Sequence, residues 1–312
     1  MKISTRTLYF SVFSLCLIII LSQPLRNLFA YSWNPDNVAA SHILLIPFIT
    51  AALIFWNRRA IFQTVSYAKV PGMIVILIGA GLWAGANFVW NHDLQYTNQL
   101  SMLTTSLVVM WIGGFILFYG SRAFRAGLFS LLFLTFLIPI PQQLLDSVVT
   151  FLQYKSADAA YGLLRTSGTP IFREAIINFQ LPSLKIVVAP ECSGIRSGIS
   201  LLISGLIAGH LFLRAWWRRL AIVLLAIPVL IFKNGLRIAT LSYLAVHIDQ
   251  RILTSELHRE GGIPFFVIGL LLLYPFLLVL IKWEEKSSSR DRDRPSTHEF
   301  SMTPLPVSER KD

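Results

Sequence analysis

The chain has 312 residues, of which 54% are hydrophobic and only 14% are charged, whereas soluble domains average about 25% charged residues. This balance excludes an ordinary soluble fold and makes the lipid bilayer the main solvent of the protein. The formal net charge of +11 does not indicate a nucleic-acid partner, because the basic residues form short clusters between apolar runs instead of lining one polar face.

Eight apolar runs are candidates for transmembrane helices, which need roughly 20 apolar residues to cross a hydrocarbon core. The first run follows a basic N-terminus, but no small-residue cleavage site comes close behind it, so we expect an uncleaved span. The sequence therefore predicts an all-α, polytopic transmembrane helix bundle of about eight spans. These lie near residues 7–23, 41–56, 70–90, 100–120, 124–145, 194–213, 219–246 and 263–281.

Two further features qualify this pattern. The fifth predicted span contains Pro139 and Pro141, which lack an amide donor, so the helix is expected to end or kink there. Residues 146–193 form the longest segment outside the predicted spans. Its first part has the apolar spacing of an amphipathic helix at the interface, and its second part predicts a hairpin of two short strands around Leu181-Pro182-Ser183. We expect this segment to form a small extracytoplasmic cap.

Basic residues predict the orientation of the bundle, because cytoplasmic loops retain an excess of Lys and Arg. With the N-terminus inside, the basic loops at 58–59, 122–125 and 214–219 are cytoplasmic. The tail, residues 283–312, mixes both charge signs and has no apolar face. It predicts a disordered cytoplasmic extension behind a transmembrane domain of residues 1–282.

The two cysteines, Cys16 and Cys192, give neither a disulfide framework nor the spacing of a metal site. Cys16 lies inside an apolar run and is expected to pack as a small apolar residue. Cys192 directly precedes the sixth predicted span in the string VVAPECSGIRSGISLLI. A thiol at a helix N-terminus gains from the unpaired amides and the helix dipole, which favour the nucleophilic thiolate, and Arg196 is expected to add to that effect.

Arg237 is a guanidinium within the seventh predicted span, roughly 27 Å from the cytoplasmic end of that span at 1.5 Å rise per residue. Such a charge is costly unless it is paired or lines a polar cavity, so it indicates a functional site. On position alone, snorkelling to the exterior headgroups is an equally good interpretation. Lys233 and Asn234 share its helical face, and the three together predict a polar stripe directed into the bundle.

His258 lies in the last exterior loop, immediately before the eighth predicted span. His247 and His92 are its rivals on the same side, and a loop histidine is more often only solvated. The predicted topology brings Cys192, Arg237 and His258 to one side of the membrane. Their chemistry is that of acyl transfer, in which Cys attacks a peptide carbonyl, His moves protons and Arg stabilises the thiolate or the oxyanion.

Three strings around these residues resemble the signatures of the exosortase/archaeosortase family and occur in its order. They are PECSGIRS at 190–197, NGLRI at 234–238, and His258 followed by Gly261 and Gly262. The resemblance covers about residues 8–282, and the histidine in the third position is similar to the bacterial form of the family.

The resemblance implies Cys192 as nucleophile, Arg237 as stabiliser of the thiolate or oxyanion, and His258 for proton transfer. We expect supporting roles for Arg196 and Asn234. The resemblance further implies a bacterial inner-membrane protein. In the orientation that the basic residues predict, both termini are cytoplasmic and the site faces the periplasm. No metal or organic cofactor is indicated, and several members of the family are tied to exopolysaccharide production.

The resemblance also implies the partners of the protein. Its substrates would be exported proteins with a C-terminal sorting signal that consists of a motif of the Pro-Glu-Pro type, one apolar span and a basic end. Cleavage near the motif is the expected reaction, and the acceptor of the new carboxyl end, an amine or water, stays open. Membrane lipids are the other expected partner.

Two other classes of function are compatible with the residues. In a transporter or flippase of cell-surface lipid or polysaccharide precursors, Lys233 and Arg237 would bind an anionic headgroup. A structural scaffold of a surface-assembly complex would need neither residue, which is hard to reconcile with the cost of Arg237 in a span.

Overall fold

The computed structural model describes residues 5–34, 37, 39–89, 95–182, 184–254 and 262–292. Helices dominate these residues, and five of the described helices are long and apolar enough to cross a bilayer, or seven if each of two bent pairs is one span. The predicted all-α membrane bundle is confirmed. Its helices are α1 (Thr5–Ile20), α2 (Ser22–Trp33), α3 (Ile46–Trp56), α4 (Arg58–Ile61), α5 (Lys69–Ala84), α6 (Tyr96–Ala126), α7 (Leu128–Leu132), α8 (Gln142–Thr166), α9 (Ile195–Phe212), α10 (Trp216–His247) and α11 (Gly262–Arg292).

The two bent pairs account for most of the difference from eight straight spans. Helices α1 and α2 meet at 72°, and the segment Leu128–Leu137 meets α8 at 91°. The second bend contains the two prolines. The backbone is extended at Ile138, as expected for the residue before Pro139, and also at Pro141 itself. The predicted break is therefore confirmed. The run at 41–56 forms the shorter apolar helix Ile43–Trp56.

Helix α10 lies at the centre of the half of the bundle that carries the site, where it packs against α8, α9 and α11. Ile199, Leu230 and Leu273 belong to the apolar core that these helices share. The contact between α10 and α8 is especially close, since a Cβ atom at Gly235 would come within 2.5 Å of Ala159 Cβ. Only glycine permits this approach of the two backbones.

Helix α8 is amphipathic, as predicted for the first part of the cap, but it begins at Gln142 and has 25 residues. Its buried residues recur every three or four positions and form one face that packs against α10. This face carries Leu152, Gln153, Ser156, Ala157, Ala160 and Leu164.

A small antiparallel sheet follows α8, with strands β1 (Phe172–Ala175), β2 (Asn178–Leu181) and β3 (Leu184–Val187) in the order β1-β2-β3. Strands β2 and β3 are the predicted hairpin. Strand β1 was not predicted, because its sequence FREA lacks a clear alternation of apolar and polar residues. A tertiary ion pair supports it, with Arg173 Nη2 lying 2.7 Å from Asp158 Oδ1 of α8.

The sheet rests on the transmembrane helices through its apolar face. Phe179 and Leu181 of β2 are fully buried in a core that also contains Ile186, Ala157 of α8 and Ile238 of α10. The chain leaves β3 and turns directly toward α9. The sheet therefore lies against α8 and α10 at the point where the chain enters α9.

The start of α10 is tied to the end of α11 by Glu284. Its carboxylate accepts hydrogen bonds from the backbone N–H groups of Arg214 and Ala215, both at 2.9 Å, and lies 3.2 Å from Arg218 Nη1. The Arg218 side chain is only 7% exposed. Helix α11 continues to Arg292, so residues 283–292 of the segment predicted as a tail are helical.

We predict that Glu284→Gln lowers the free energy of unfolding by about 1–3 kcal/mol, because a buried guanidinium and a helix N-terminus both lose a charged acceptor. Thermal unfolding of the detergent-solubilised protein measures this change. Glu285→Gln is the matched control, since Glu285 is exposed. Equal melting temperatures for the two variants would contradict the structural role of Glu284.

Candidate active site

Cys192 lies on a short 3-10 turn, Pro190–Ser193, between the end of β3 and the start of α9. Its backbone N–H donates to the Ala189 carbonyl at 2.9 Å. Gly194 follows with φ of +78°, a left-handed conformation that side chains disfavour, and α9 begins at Ile195. Cys192 thus precedes the helix by one turn, close to the position that the sequence predicts.

Asn234 of α10 holds this turn in place. Its Nδ2 donates a hydrogen bond of 2.7 Å to the Cys192 carbonyl, and its side chain is almost fully buried. A Cβ atom at residue 194 would lie 2.6 Å from the Asn234 side chain. Glycine is therefore required at position 194 for two reasons, the positive φ and the close approach of α10. The motifs PECSGIRS and NGLRI are joined at this contact.

Lys233 continues the polar side of α10 deeper into the bundle. Its side chain is 1% exposed, and its ammonium donates to the Ser197 hydroxyl of α9. Among the described residues it forms no ion pair with a carboxylate. A buried ammonium without such a partner is destabilising, so Lys233 lowers the stability of the bundle. The predicted polar stripe is directed into the bundle at Lys233 and Asn234.

The Cys192 thiol is half-buried, and four influences act on its ionisation. Burial is the largest and raises the pKa of the thiol, so the thiolate that the sequence predicts is not favoured before substrate binds. The guanidinium of Arg237 and a hydrogen bond with the Ala189 backbone lower this pKa, and the carboxylate of Glu191 raises it. Because Glu191 is exposed, solvent screens its effect. Arg237 is thus the positive charge that acts on the thiol. Arg196 is exposed on the first turn of α9, and its supporting role stays a prediction.

A cavity of about 280 Å³ opens beside the thiol, between the cap and α10. One wall is formed by residues 185–189, which comprise most of β3 and its continuation. The other wall is formed by Ile238, Leu241 and Ser242 of α10, and Cys192 lies among the lining residues. The side of Cys192 that faces the cap therefore has room for a bound group.

Sequence reasoning missed two polar residues of this region, Gln153 and Ser242. Gln153 of α8 is buried and its Nε2 donates to the Val188 carbonyl at 2.6 Å, which fixes the end of β3. Ser242 is buried in the cavity wall, eight residues after Asn234 on the same face of α10. The helical spacing from Asn234 was the signal for Ser242, whereas the Gln153 contact depends on tertiary packing.

His258 and its rival His92 lie outside the described residues, so the predicted role of His258 stays a prediction. The other rival, His247, is the last residue of α10 and is exposed, with its ring 4.3 Å from the Tyr243 ring. In the described part of the chain, no three His, Cys, Asp or Glu side chains are grouped in a way that suits a metal ion.

We predict that Gly194→Ala lowers the rate at which the Cys192 thiol reacts by about tenfold or more, the equivalent of about 1–3 kcal/mol of backbone strain. The added Cβ meets Asn234 and strains the left-handed backbone, so the turn moves. Gly81→Ala of α5 is the matched control, because a Cβ atom there meets nothing within 4 Å and φ is helical. The rate of alkylation of Cys192 by a small iodoacetamide reagent measures the change, and equal rates in both variants would contradict it.

Comparison with known families agrees with the motifs at this site. A family model described as transmembrane exosortase (Exosortase_EpsH) matches residues 33–275, a region that contains Cys192, Asn234 and Arg237. Comparisons with curated proteins and with solved structures gave no match. Because the matched region spans well over half of the chain and includes the whole site, the chain belongs to the transmembrane exosortase family.

Proposed function

We propose that the protein is a cysteine transpeptidase that cleaves a C-terminal sorting signal of exported proteins through a thioester on Cys192. Membership of the exosortase family supports a transpeptidase-type activity in a membrane. The observation that carries the finer proposal is the position of the Cys192 thiol, which lies within the influence of the Arg237 charge and beside a cavity. A nucleophile, a cation and space for a substrate occur together there.

In the proposed reaction, His258 takes the proton of the Cys192 thiol, and the sulfur attacks the carbonyl carbon of the scissile peptide bond. Arg237 stabilises first the thiolate and then the oxyanion of the tetrahedral intermediate. The C–N bond breaks, the leaving amine takes a proton from His258, and the C-terminal fragment departs. An amine or water then attacks the thioester carbonyl and gives its proton to His258, and the C–S bond breaks to release the thiolate.

The contacts around Cys192 suit this role because they hold the nucleophile before substrate binds. Asn234 fixes the carbonyl of Cys192, and the bond to Ala189 fixes its N–H group. Hydrogen bonds therefore occupy both polar groups of the Cys192 backbone. Such preorganisation lowers the cost of reaching the reactive geometry.

The proposed substrate reaches this site from the membrane. Its apolar span would lie in the bilayer beside the bundle, and its motif of the Pro-Glu-Pro type would enter the cavity at the cap. The proposal places the protein in a bacterial inner membrane, with both termini in the cytoplasm and the cap in the periplasm. The basic loops support this orientation.

The test is the C-terminal mass of an exported protein with such a signal, co-expressed with wild-type protein or with Cys192→Ala. We expect loss of the C-terminal segment with the wild type and an intact terminus with the variant. Cys16→Ala is the matched control, because Cys16 is the other cysteine of the chain and lies in α1, and it should process normally. Added mass on the new terminus would identify transfer to an amine.

Equal processing with wild type and Cys192→Ala would reject the thioester. A transporter of anionic precursors, which the buried Lys233 would suit, predicts no trimming of any protein and full function without Cys192. The transpeptidase and the transporter therefore predict opposite results in this one experiment.

We further predict that Arg237→Ala lowers the rate of processing about 100-fold or more, the usual cost of removing one stabiliser of an oxyanion. Arg237→Lys keeps the charge but loses the planar fork, so it should retain an intermediate rate. Arg165→Ala, at the exposed end of α8, is the control and should process at the wild-type rate. Wild-type rates for both Arg237 variants would indicate a snorkelling residue instead.

A further inference from the structure

Strand β3 is an edge strand in the sheet of described residues, since it pairs with β2 alone. The Val188 N–H group donates to the Ile177 carbonyl, on the side of β2. In an antiparallel pair, the backbone groups of alternate residues point to the same side. The N–H and C=O groups of Lys185 and Val187 therefore point away from β2, toward the open edge.

The cavity beside Cys192 runs along this edge. It touches five consecutive residues, 185–189. Because successive side chains of a strand point to opposite faces, a cavity that touches Lys185, Ile186 and Val187 in turn lies along the edge of β3 and not over one face. Its opposite wall is apolar at Ile238 and Leu241 of α10, and its lining includes Cys192.

An edge of this kind is a template for another strand, and proteins usually protect such edges with charged residues, bulges or covering elements. Here Lys185 supplies the one charge of β3, and it is paired with Glu174 of β1 at 2.5 Å. Val187 is 55% exposed although it is apolar. The edge nearest the nucleophile is thus the least protected part of the strand.

We propose that β3 binds the substrate by strand addition, so that an extended segment of the substrate pairs with Lys185 and Val187 and leads its scissile bond to Cys192. The inference rests on the proposed function for the identity of the occupant, a peptide segment of an exported protein. Main-chain hydrogen bonds supply affinity in this mode, and the wall of Ile238 and Leu241 receives alternate side chains.

A Pro-Glu-Pro motif suits this edge for a stereochemical reason. Proline lacks an N–H group and is tolerated in an outer strand only where that position faces away from its partner. In Pro-Glu-Pro the prolines occupy alternate positions, so both can face away from β3 while the glutamate between them pairs with it. The residue before each proline is also restricted to extended backbone.

The experiment measures the binding of a fluorescent synthetic peptide, which contains a Pro-Glu-Pro motif and its flanking residues, to the full-length Cys192→Ala protein by anisotropy. We expect Val187→Pro to weaken binding about tenfold, because it removes an N–H group at the open edge. The ladder between β2 and β3 does not use that group. Val187→Ala, which keeps the N–H group, should bind within about twofold of the parent.

A second measurement changes the peptide instead of the protein, so its result does not depend on whether Val187→Pro folds. Single N-methylation along the peptide should weaken binding at every second position only, since alternate N–H groups face β3. A uniform profile, or no binding of the unmodified peptide, would overturn strand addition. Thiol-dependent trimming with a uniform profile rejects strand addition alone, whereas an alternating profile without trimming supports strand addition and rejects the transpeptidase.

Discussion

The hydrogen bond from Asn234 Nδ2 to the Cys192 carbonyl joins α10 to the turn before α9, and several local features depend on it. It requires glycine at 194, where any side chain would meet Asn234. It also requires α10 to lie close to the turn, which the tight contact between Gly235 and Ala159 of α8 permits. A single polar contact in an apolar surrounding is strong because no water competes for it.

Helix α10 also carries two positive charges, Lys233 and Arg237, which are costly to bury inside a membrane bundle. Lys233 is buried against Ser197, and Arg237 lies one turn further along α10, within electrostatic range of both Lys233 and Cys192. Two cations on one helix face repel each other and are costly to desolvate. The exosortase family supports a transpeptidase-type activity in the membrane, and a cationic helix face beside Cys192 is consistent with that activity.

The cap forms one wall of the cavity beside Cys192. Its three short strands would be marginal alone, and they are ordered by Phe179 and Leu181 buried against α8 and α10. Gln153 of α8 fixes the end of β3 through the Val188 carbonyl, directly before the turn of Cys192. Helix α8, the sheet and the turn of Cys192 thus form one continuous unit. At its start, the bend at the two prolines sets α8 at 91° to the segment before it.

The sequence by itself determined the membrane class, the break at Pro139 and Pro141, the hairpin of β2 and β3, and the motifs around Cys192 and Arg237, because each depends on local composition or spacing. Tertiary structure alone decided that Asn234 bonds to Cys192 across 42 residues, that Lys233 meets Ser197, that β1 joins the sheet and that the edge of β3 lines the cavity. The first two contacts join residues 42 and 36 positions apart in the chain. Periodicity shows which face of an element is apolar, but not which neighbour that face meets, since the packing of the whole bundle selects the partner.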